Sequence, residues 1–160
     1  MGGVARLVAI ALGSNVGDRH AHLTGAIDRL RPYLDDLLIS SFVDTVPVGT
    51  PGPQDRYLNA ALVGRSALGP RLWLEVLLAA EREGGRERPY RFAPRTLDLD
   101  LILCGSEVVE EPDLVVPHPR FRERRFVLGP LAEIAPGLRD PVTGLTVGQL
   151  LARLAANGDR

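Results

Sequence analysis

Apolar and polar residues alternate along this chain with two different periods, and glycine and proline mark where one period gives way to the other. Residues 4–12 are almost continuously apolar and read as a strand. Gly13-Ser-Asn-Val-Gly-Asp18 reads as a turn ending in capping residues, and Leu23, Ile27, Leu30 and Leu34 then recur at helical spacing. Residues 37–46 read as a second strand. The run Pro47-Val-Gly-Thr-Pro-Gly-Pro53 cannot continue a sheet and must be a loop, after which residues 57–63 read as a third strand. Pro70 suits the first turn of a second helix, whose apolar stripe is Leu72, Val76, Leu77 and Ala80. A fourth strand ends at Cys104, and Gly105-Ser106 has the form of a two-residue hairpin turn into Val108 and Val109.

This order, β-α-β-β-α-β, predicts an α+β, ferredoxin-like fold: a mostly antiparallel sheet with its two main helices on one face. A C-terminal helical extension follows. It comprises a helical region over residues 126–134 and a last helix opened by the capping-box pattern Thr146-Val-Gly-Gln149 and carrying Leu150, Leu151 and Leu154. With no repeat and no linker, residues 1–160 are expected to form one domain.

The fourth strand carries the most chemistry. In Arg95-Thr-Leu-Asp-Leu-Asp-Leu-Ile-Leu-Cys104, strand alternation sends Leu97, Leu99, Leu101 and Leu103 to one face and Asp98 and Asp100 to the other. The two carboxylates then stand about 6–7 Å apart at their Cα atoms and repel unless a cation lies between them. Immediately upstream, Arg86, Arg88, Arg91 and Arg95 lie in a Gly/Pro-rich loop. Carboxylate oxygens suit Mg²⁺ and guanidinium groups suit phosphate, so the combination fits magnesium-polyphosphate chemistry. Plain Arg–Asp surface pairing is the alternative.

Composition bounds the class. The chain has 45% hydrophobic residues, a net charge of −1 and no apolar run of membrane-spanning length, which argues against a membrane protein and a globally basic nucleic-acid binder. Its first residues lack a signal-peptide layout, and the single cysteine, Cys104, excludes an internal disulfide, so a cytoplasmic location is expected. Cys104 itself reads as a small core residue. Every basic side chain is arginine; without lysine there is no Walker A lysine and no Schiff base. His20 and His22, two apart on a helix, do not face each other as a zinc pair would.

Several segments in order resemble the 6-hydroxymethyl-7,8-dihydropterin pyrophosphokinase family of folate biosynthesis. They are Leu12-Gly-Ser-Asn15, Ser41-Phe-Val-Asp-Thr-Val-Pro-Val-Gly49, Tyr57-Leu-Asn-Ala-Ala61, Gly85-Arg86, Pro94-Arg-Thr-Leu-Asp-Leu-Asp100, Val116-Pro-His118 and Arg124-Arg-Phe-Val-Leu-Gly-Pro-Leu131. The resemblance implies transfer of pyrophosphate from ATP, the co-substrate, to the hydroxymethyl group of the pterin, with release of AMP. It implies that Asp98 and Asp100 bind two Mg²⁺ ions, and that Arg86 and Arg95 join them as catalytic residues. Arg86, Arg88, Arg91, Arg95, His118 and Arg124 match positions that contact ATP. Thr45 and Val48, through main-chain groups, Tyr57, Asn59 and Phe126 match the pterin site, the two rings as its stacking surfaces. Taken without the family, Phe126 reads as core and Tyr57 as an ordinary strand residue. Glu81 matches an acidic position near the site, although a solvated glutamate at a helix end is as natural a reading. Where the family usually has Arg-Trp-Gly-Pro-Arg, this chain has Arg91-Phe-Ala-Pro-Arg95.

The expected partners are the two small-molecule substrates, with no nucleic acid and no membrane, and the expected state is a monomer. The segment from Gly84 to Pro94 is expected to act as a lid over nucleotide. Two other classes suit the fold: an RNA-binding module, for which 5% aromatic residues and no aromatic strand motif are poor equipment, and a regulatory small-molecule module, which has no use for Asp98 beside Asp100.

Overall fold

The computed structural model describes residues 5–45, 56–84 and 97–157. Its elements are β1 (Arg6–Ser14), α1 (Arg19–Leu30), β2 (Asp35–Ile39), β3 (Val43–Thr45), β4 (Tyr57–Ser66), α2 (Pro70–Gly84), β5 (Asp98–Cys104), β6 (Val109–Glu111), β7 (Leu114–Val116), α3 (Arg125–Ile134) and α4 (Val147–Ala156). The main sheet runs β2-β4-β1-β5, every pairing antiparallel, with β3 continuing the β2 edge along β4. This is the expected ferredoxin-like arrangement.

The sheet separates two cores. On one face Val8, Ile10, Leu12, Leu58, Ala60 and Leu62 pack against Leu23, Ile27 and Leu30 of α1 and Trp73 and Leu77 of α2. On the other, Ala9, Ala11, Ala61 and Val63 meet Val127, Leu128 and Leu131 of α3 and Val147 and Leu150 of α4. A sheet covered on both faces explains why β1 and β4 are apolar at successive positions instead of alternating. The capping box forms as the sequence predicts: Gln149 N–H donates to Thr146 Oγ1 and Thr146 N–H donates to Gln149 Oε1.

Six expectations need correction. Leu34 lies past the end of α1 in extended backbone, and in α2 Leu72 is exposed while Trp73 is buried in its place. The second strand is two strands, β2 and β3, broken where Ser40 turns inward. There Ala61 N–H donates to its Oγ at 2.8 Å, while Glu133 of α3 accepts from the Ser41 N–H and hydroxyl. Gly13 and Ser14 belong to β1 and not to the turn, since β1 pairs with β4 as far as Ser14–Leu58. Leu103 does not share a face with Leu97, Leu99 and Leu101. The β1–β5 register jumps between Ala9 and Ile10, so that Leu101 opposes Ile10 while Leu103 opposes Ala9. The residue left over is Ile102, which follows the alternation of Asp98 and Asp100 to the α3/α4 side; the bulge sends Leu103 there as well and Cys104 to the α1/α2 core. Finally, the turn at Gly105, whose φ is +58°, does not make a hairpin with β5, because β6 pairs instead with β7. Arg71 of α2 holds that small ribbon through Asp113 at 2.8 Å and Glu111.

Candidate active site

The acidic strand presents its carboxylates where β5 passes the C-terminal end of β1. Asp98 is the register partner of Gly13, and Asp100 that of Ala11. Directly opposed residues of antiparallel strands point to the same face, so both aspartates lie on the α3/α4 side of the sheet, beyond the end of that core. The same rungs continue into β4, where Gly13 opposes Asn59 and Ala11 opposes Ala61. The sheet surface between the acids and Asn59 is therefore made of Gly13 and Ala11. Sequence reasoning overlooked this floor; a glycine inside a strand is the signal that marks it, because it lets other groups approach the backbone.

Asn59 is 6% exposed, and its Nδ2 donates to Thr45 Oγ1 across the β3–β4 pair. That bond fixes the amide with Oδ1 turned towards β1: a Cβ placed on Gly13 would come within 3.1 Å of it. Tyr57 lies two residues earlier on the same strand face. Its phenol is pushed above its ordinary range, first by burial and then by the negative charge of Asp98.

The opposite wall comes from the chain between β7 and α3. His118 N–H donates to Ile102 O, extending the outer edge of β5, and Arg120 N–H donates to His118 Nδ1 at 3.2 Å. With Nδ1 accepting, the neutral ring carries its hydrogen on Nε2. Burial holds this imidazole below its ordinary pKa, opposed by the charge of Asp100 and reinforced by those of Arg124 and Arg120. At the entry to α3, the Arg124 guanidinium sits 5.5 Å from the Phe126 ring centroid, and Phe126 is 38% exposed. Phe126 is thus a surface ring and not the core residue that its apolar character alone suggests.

Glu81 is not simply solvated. Its Oε2 accepts from Leu99 N–H at 2.7 Å, the amide between the two aspartates on the free edge of β5. Arg19, at the start of α1, donates to Asp44 Oδ1 at 2.7 Å and to Arg56 O at 2.8 Å, tying β3 to the entry of β4 beside Thr45 and Tyr57. His20 packs against Phe42 at 4.9 Å and His22 Nδ1 approaches Ser14 Oγ at 3.4 Å. Val48, Arg86, Arg88, Arg91 and Arg95 lie outside the described residues, as does the expected lid beyond its first residue, Gly84, which ends α2.

The donor set at Asp98 and Asp100 is oxygen only, and among the described residues no group of three or more His, Cys, Asp or Glu side chains is placed to hold a metal. Two carboxylates with no third such ligand among the described residues fit Mg²⁺, which keeps waters and takes substrate phosphate oxygens, and fit poorly a closed zinc site.

A comparison with protein families matches residues 9–136 to 7,8-dihydro-6-hydroxymethylpterin-pyrophosphokinase (HPPK). The chain belongs to this family. It is 42% identical over 142 residues to the 2-amino-4-hydroxy-6-hydroxymethyldihydropteridine pyrophosphokinase of Bacillus subtilis, covering 88% of this chain and 84% of that one. It is likewise 42% identical over 151 residues to the enzyme of that name from Methylorubrum extorquens, covering 93% of this chain and 94% of the other. The crystal structure of Plasmodium falciparum HPPK-DHPS A437G with SDX-DHP superposes on 97% of this chain with a TM-score of 0.78 at 13% identity. This chain spans 46% of that longer protein, and the likeness supports the HPPK fold. Among the described residues no helix is long and apolar enough to cross a membrane.

Proposed function

We propose that this chain transfers pyrophosphate from ATP to the hydroxymethyl group of 6-hydroxymethyl-7,8-dihydropterin, acting as a monomeric single domain in the cytoplasm with two Mg²⁺ ions. The observation that carries this reading is the shared sheet face on which Asp98 and Asp100 flank Gly13 and Ala11, with Asn59 on the far side. An acidic pair for metal-bound phosphate and a small-residue floor ending in a buried amide together suit one substrate rich in phosphate and one flat polar ring. The buried, unreactive position of Cys104 suits a reducing compartment, and helices of the chain itself cover both sheet faces.

Asn59 Oδ1 accepts from the N–H edge of the pterin while its Nδ2 stays on Thr45. Tyr57 and Phe126 supply the stacking faces, and main-chain groups near Thr45 and Val48 complete the edge contacts. Asp98 and Asp100 would hold the magnesium ions. Bound there, magnesium would neutralise charge on the polyphosphate and orient it for in-line attack. His118, neutral and with its hydrogen on Nε2, donates to a phosphate oxygen. Arg124 adds a positive charge beside it, and Arg86, Arg88, Arg91 and Arg95 supply further guanidinium donors, Arg86 and Arg95 to the reacting phosphates. The pterin hydroxyl oxygen bonds to the β-phosphorus, the bond from that phosphorus to the α–β bridging oxygen breaks, AMP leaves with that oxygen, and the hydroxyl proton passes to solvent.

Incubation with ATP, Mg²⁺ and the hydroxymethyl dihydropterin tests the reading. AMP and the pterin diphosphate should form in equal amounts. ADP as the nucleotide product would mean single phosphoryl transfer and overturn it.

A further inference from the structure

The arginines concentrated in Arg120-Phe-Arg-Glu-Arg-Arg125 are only partly accounted for by the site, to which Arg124 alone is assigned. Arg122 turns the other way. Its Nε donates to Asp140 Oδ2 at 2.6 Å and its NH2 nitrogen donates to Asp140 Oδ1 at 3.0 Å, a bidentate pair, while its guanidinium covers the ring of Phe121 at 4.9 Å. Asp140 is 0% exposed. Its remaining lone pairs are taken by Val142 N–H at 3.0 Å and Thr143 Oγ1–H at 2.7 Å. Burial on its own would raise the Asp140 pKa, but the hydrogen bonds from Arg122, Thr143 and Val142 and the guanidinium charge hold it below the usual carboxylate range.

The position of this pair in the chain gives it a consequence for the site. Arg122 lies in a single 3-10 turn, Phe121–Glu123, with His118 four residues before it and Arg124 two residues after. Local hydrogen bonds shape this turn, from Phe121 N–H to His118 O at 3.3 Å and from Arg124 N–H to Phe121 O at 3.2 Å. Phe121 plugs the α3/α4 core, and the Arg122–Asp140 pair ties the same turn to the segment between α3 and α4. That segment is closed on itself by Asp140 N–H to Leu145 O and Gly144 N–H to Asp140 O, both 2.8 Å.

We infer that Arg122 and Asp140 form a clamp that sets the placement of His118 and Arg124, so that Arg122 and Asp140 are positioning residues for nucleotide phosphate. The inference rests on the proposed function, in which His118 and Arg124 contact ATP. The clamp acts more on the phosphate wall than on the pterin site, because the pterin floor is built from β1, β3 and β4 and only Phe126, against which Arg124 packs, joins the two.

The test is calorimetric titration of a nonhydrolysable ATP analogue with Mg²⁺, and separately of the pterin, into the wild type, Arg122→Gln, Arg122→Lys and Thr143→Val. Thr143→Val removes one donor to Asp140 without emptying the site, so it remains informative if the Arg122 variants fold poorly. Folded Arg122→Gln should bind the nucleotide analogue about tenfold or more weakly, since small displacements of contact groups have large effects. Arg122→Lys should recover little, because an ammonium cannot reproduce the planar fork. Thr143→Val should show a smaller loss in the same direction. Pterin affinity should fall clearly less than nucleotide affinity in every variant, because only Phe126 of the pterin site adjoins the clamped turn, whereas a merely structural role would lower both affinities together. Unchanged nucleotide affinity in folded variants, or parallel loss of both ligands, would overturn the clamp alone. A wild type that bound no Mg²⁺–nucleotide would overturn the functional reading and the clamp with it.

Discussion

Asp98 and Asn59 face the same space from opposite sides of one residue: each is the register partner of Gly13, Asp98 from β5 and Asn59 from β4. Two strand spacings, about 9–10 Å, separate their backbones. The metal-binding and ring-binding ends of the proposed site are thus fixed by sheet register, the most rigid coordinate the fold offers.

Gly13→Ala should disturb the ring-binding end selectively. The new Cβ would meet Asn59 Oδ1 at 3.1 Å, and the amide cannot retreat without giving up its bond to Thr45. Pterin affinity should fall by about tenfold, the effect of losing a little over 1 kcal/mol, while affinity for an Mg²⁺–ATP analogue holds. Calorimetry with each ligand checks this, and an unaltered pterin affinity would contradict the floor.

Asn59→Ala removes the acceptor itself and leaves polar edge groups of the ring unpaired. A loss of roughly 1–3 kcal/mol in pterin binding is expected. Titration in the presence of a nonreactive ATP analogue measures it directly, and equal affinity in the two proteins would place the pterin elsewhere.

Glu81 should matter through Leu99 N–H. Glu81→Ala leaves an amide on the free edge of β5 without this acceptor, and a stability loss of about 1–3 kcal/mol in urea unfolding is expected. Glu81→Gln keeps an acceptor oxygen and should recover most of it. If both variants unfold like the wild type, Glu81 is a surface residue with no hold on the acidic strand.

The pH dependence of stability should carry the signature of His118. Burial keeps its folded pKa below 6.5, so between that lowered value and 6.5 the unfolded chain binds more protons than the folded one. Stability therefore rises with pH through this window, and a penalty accumulates as pH falls through 6.5. Urea midpoints across the window should show a shallower slope for His118→Gln than for the wild type; identical slopes would mean the imidazole titrates freely.

The fold was legible in the sequence because its main elements carry strong signals: leucines at helical spacing in α1, Pro70 at the start of α2, Thr146 and Gln149 at the start of α4. What escaped was decided by contacts distant along the chain. Nothing local to residues 37–46 says that Ser40 will turn inward to Ala61 and that Glu133 will hold Ser41, so one strand was expected where there are two. The bulge at Ile102 is invisible in an unbroken apolar run, since Leu103 and Cys104 are equally at home in either core. The acids were legible because residues 97–101 alternate cleanly, whereas Tyr57 and Asn59 were marked only by the family resemblance, since β4 is buried at successive positions. The floor of the site was not legible, because Gly13 and Ala11 contribute by being small, and the Arg122–Asp140 pair spans segments that only the tertiary fold brings together.

The central claim, that pyrophosphate transfer takes place at the carboxylate pair on β5, is tested most directly by AMP formation from ATP and the hydroxymethyl dihydropterin at saturating Mg²⁺ in the wild type, Asp98→Ala and Asp100→Ala. Because the aspartates face the site while Leu97, Leu99 and Leu101 serve the core, each variant should keep the wild-type fold by circular dichroism. AMP formation should depend on the pterin in the wild type and fall by about 10²–10³-fold or more in each variant. Near-normal AMP formation in either folded variant would contradict the account.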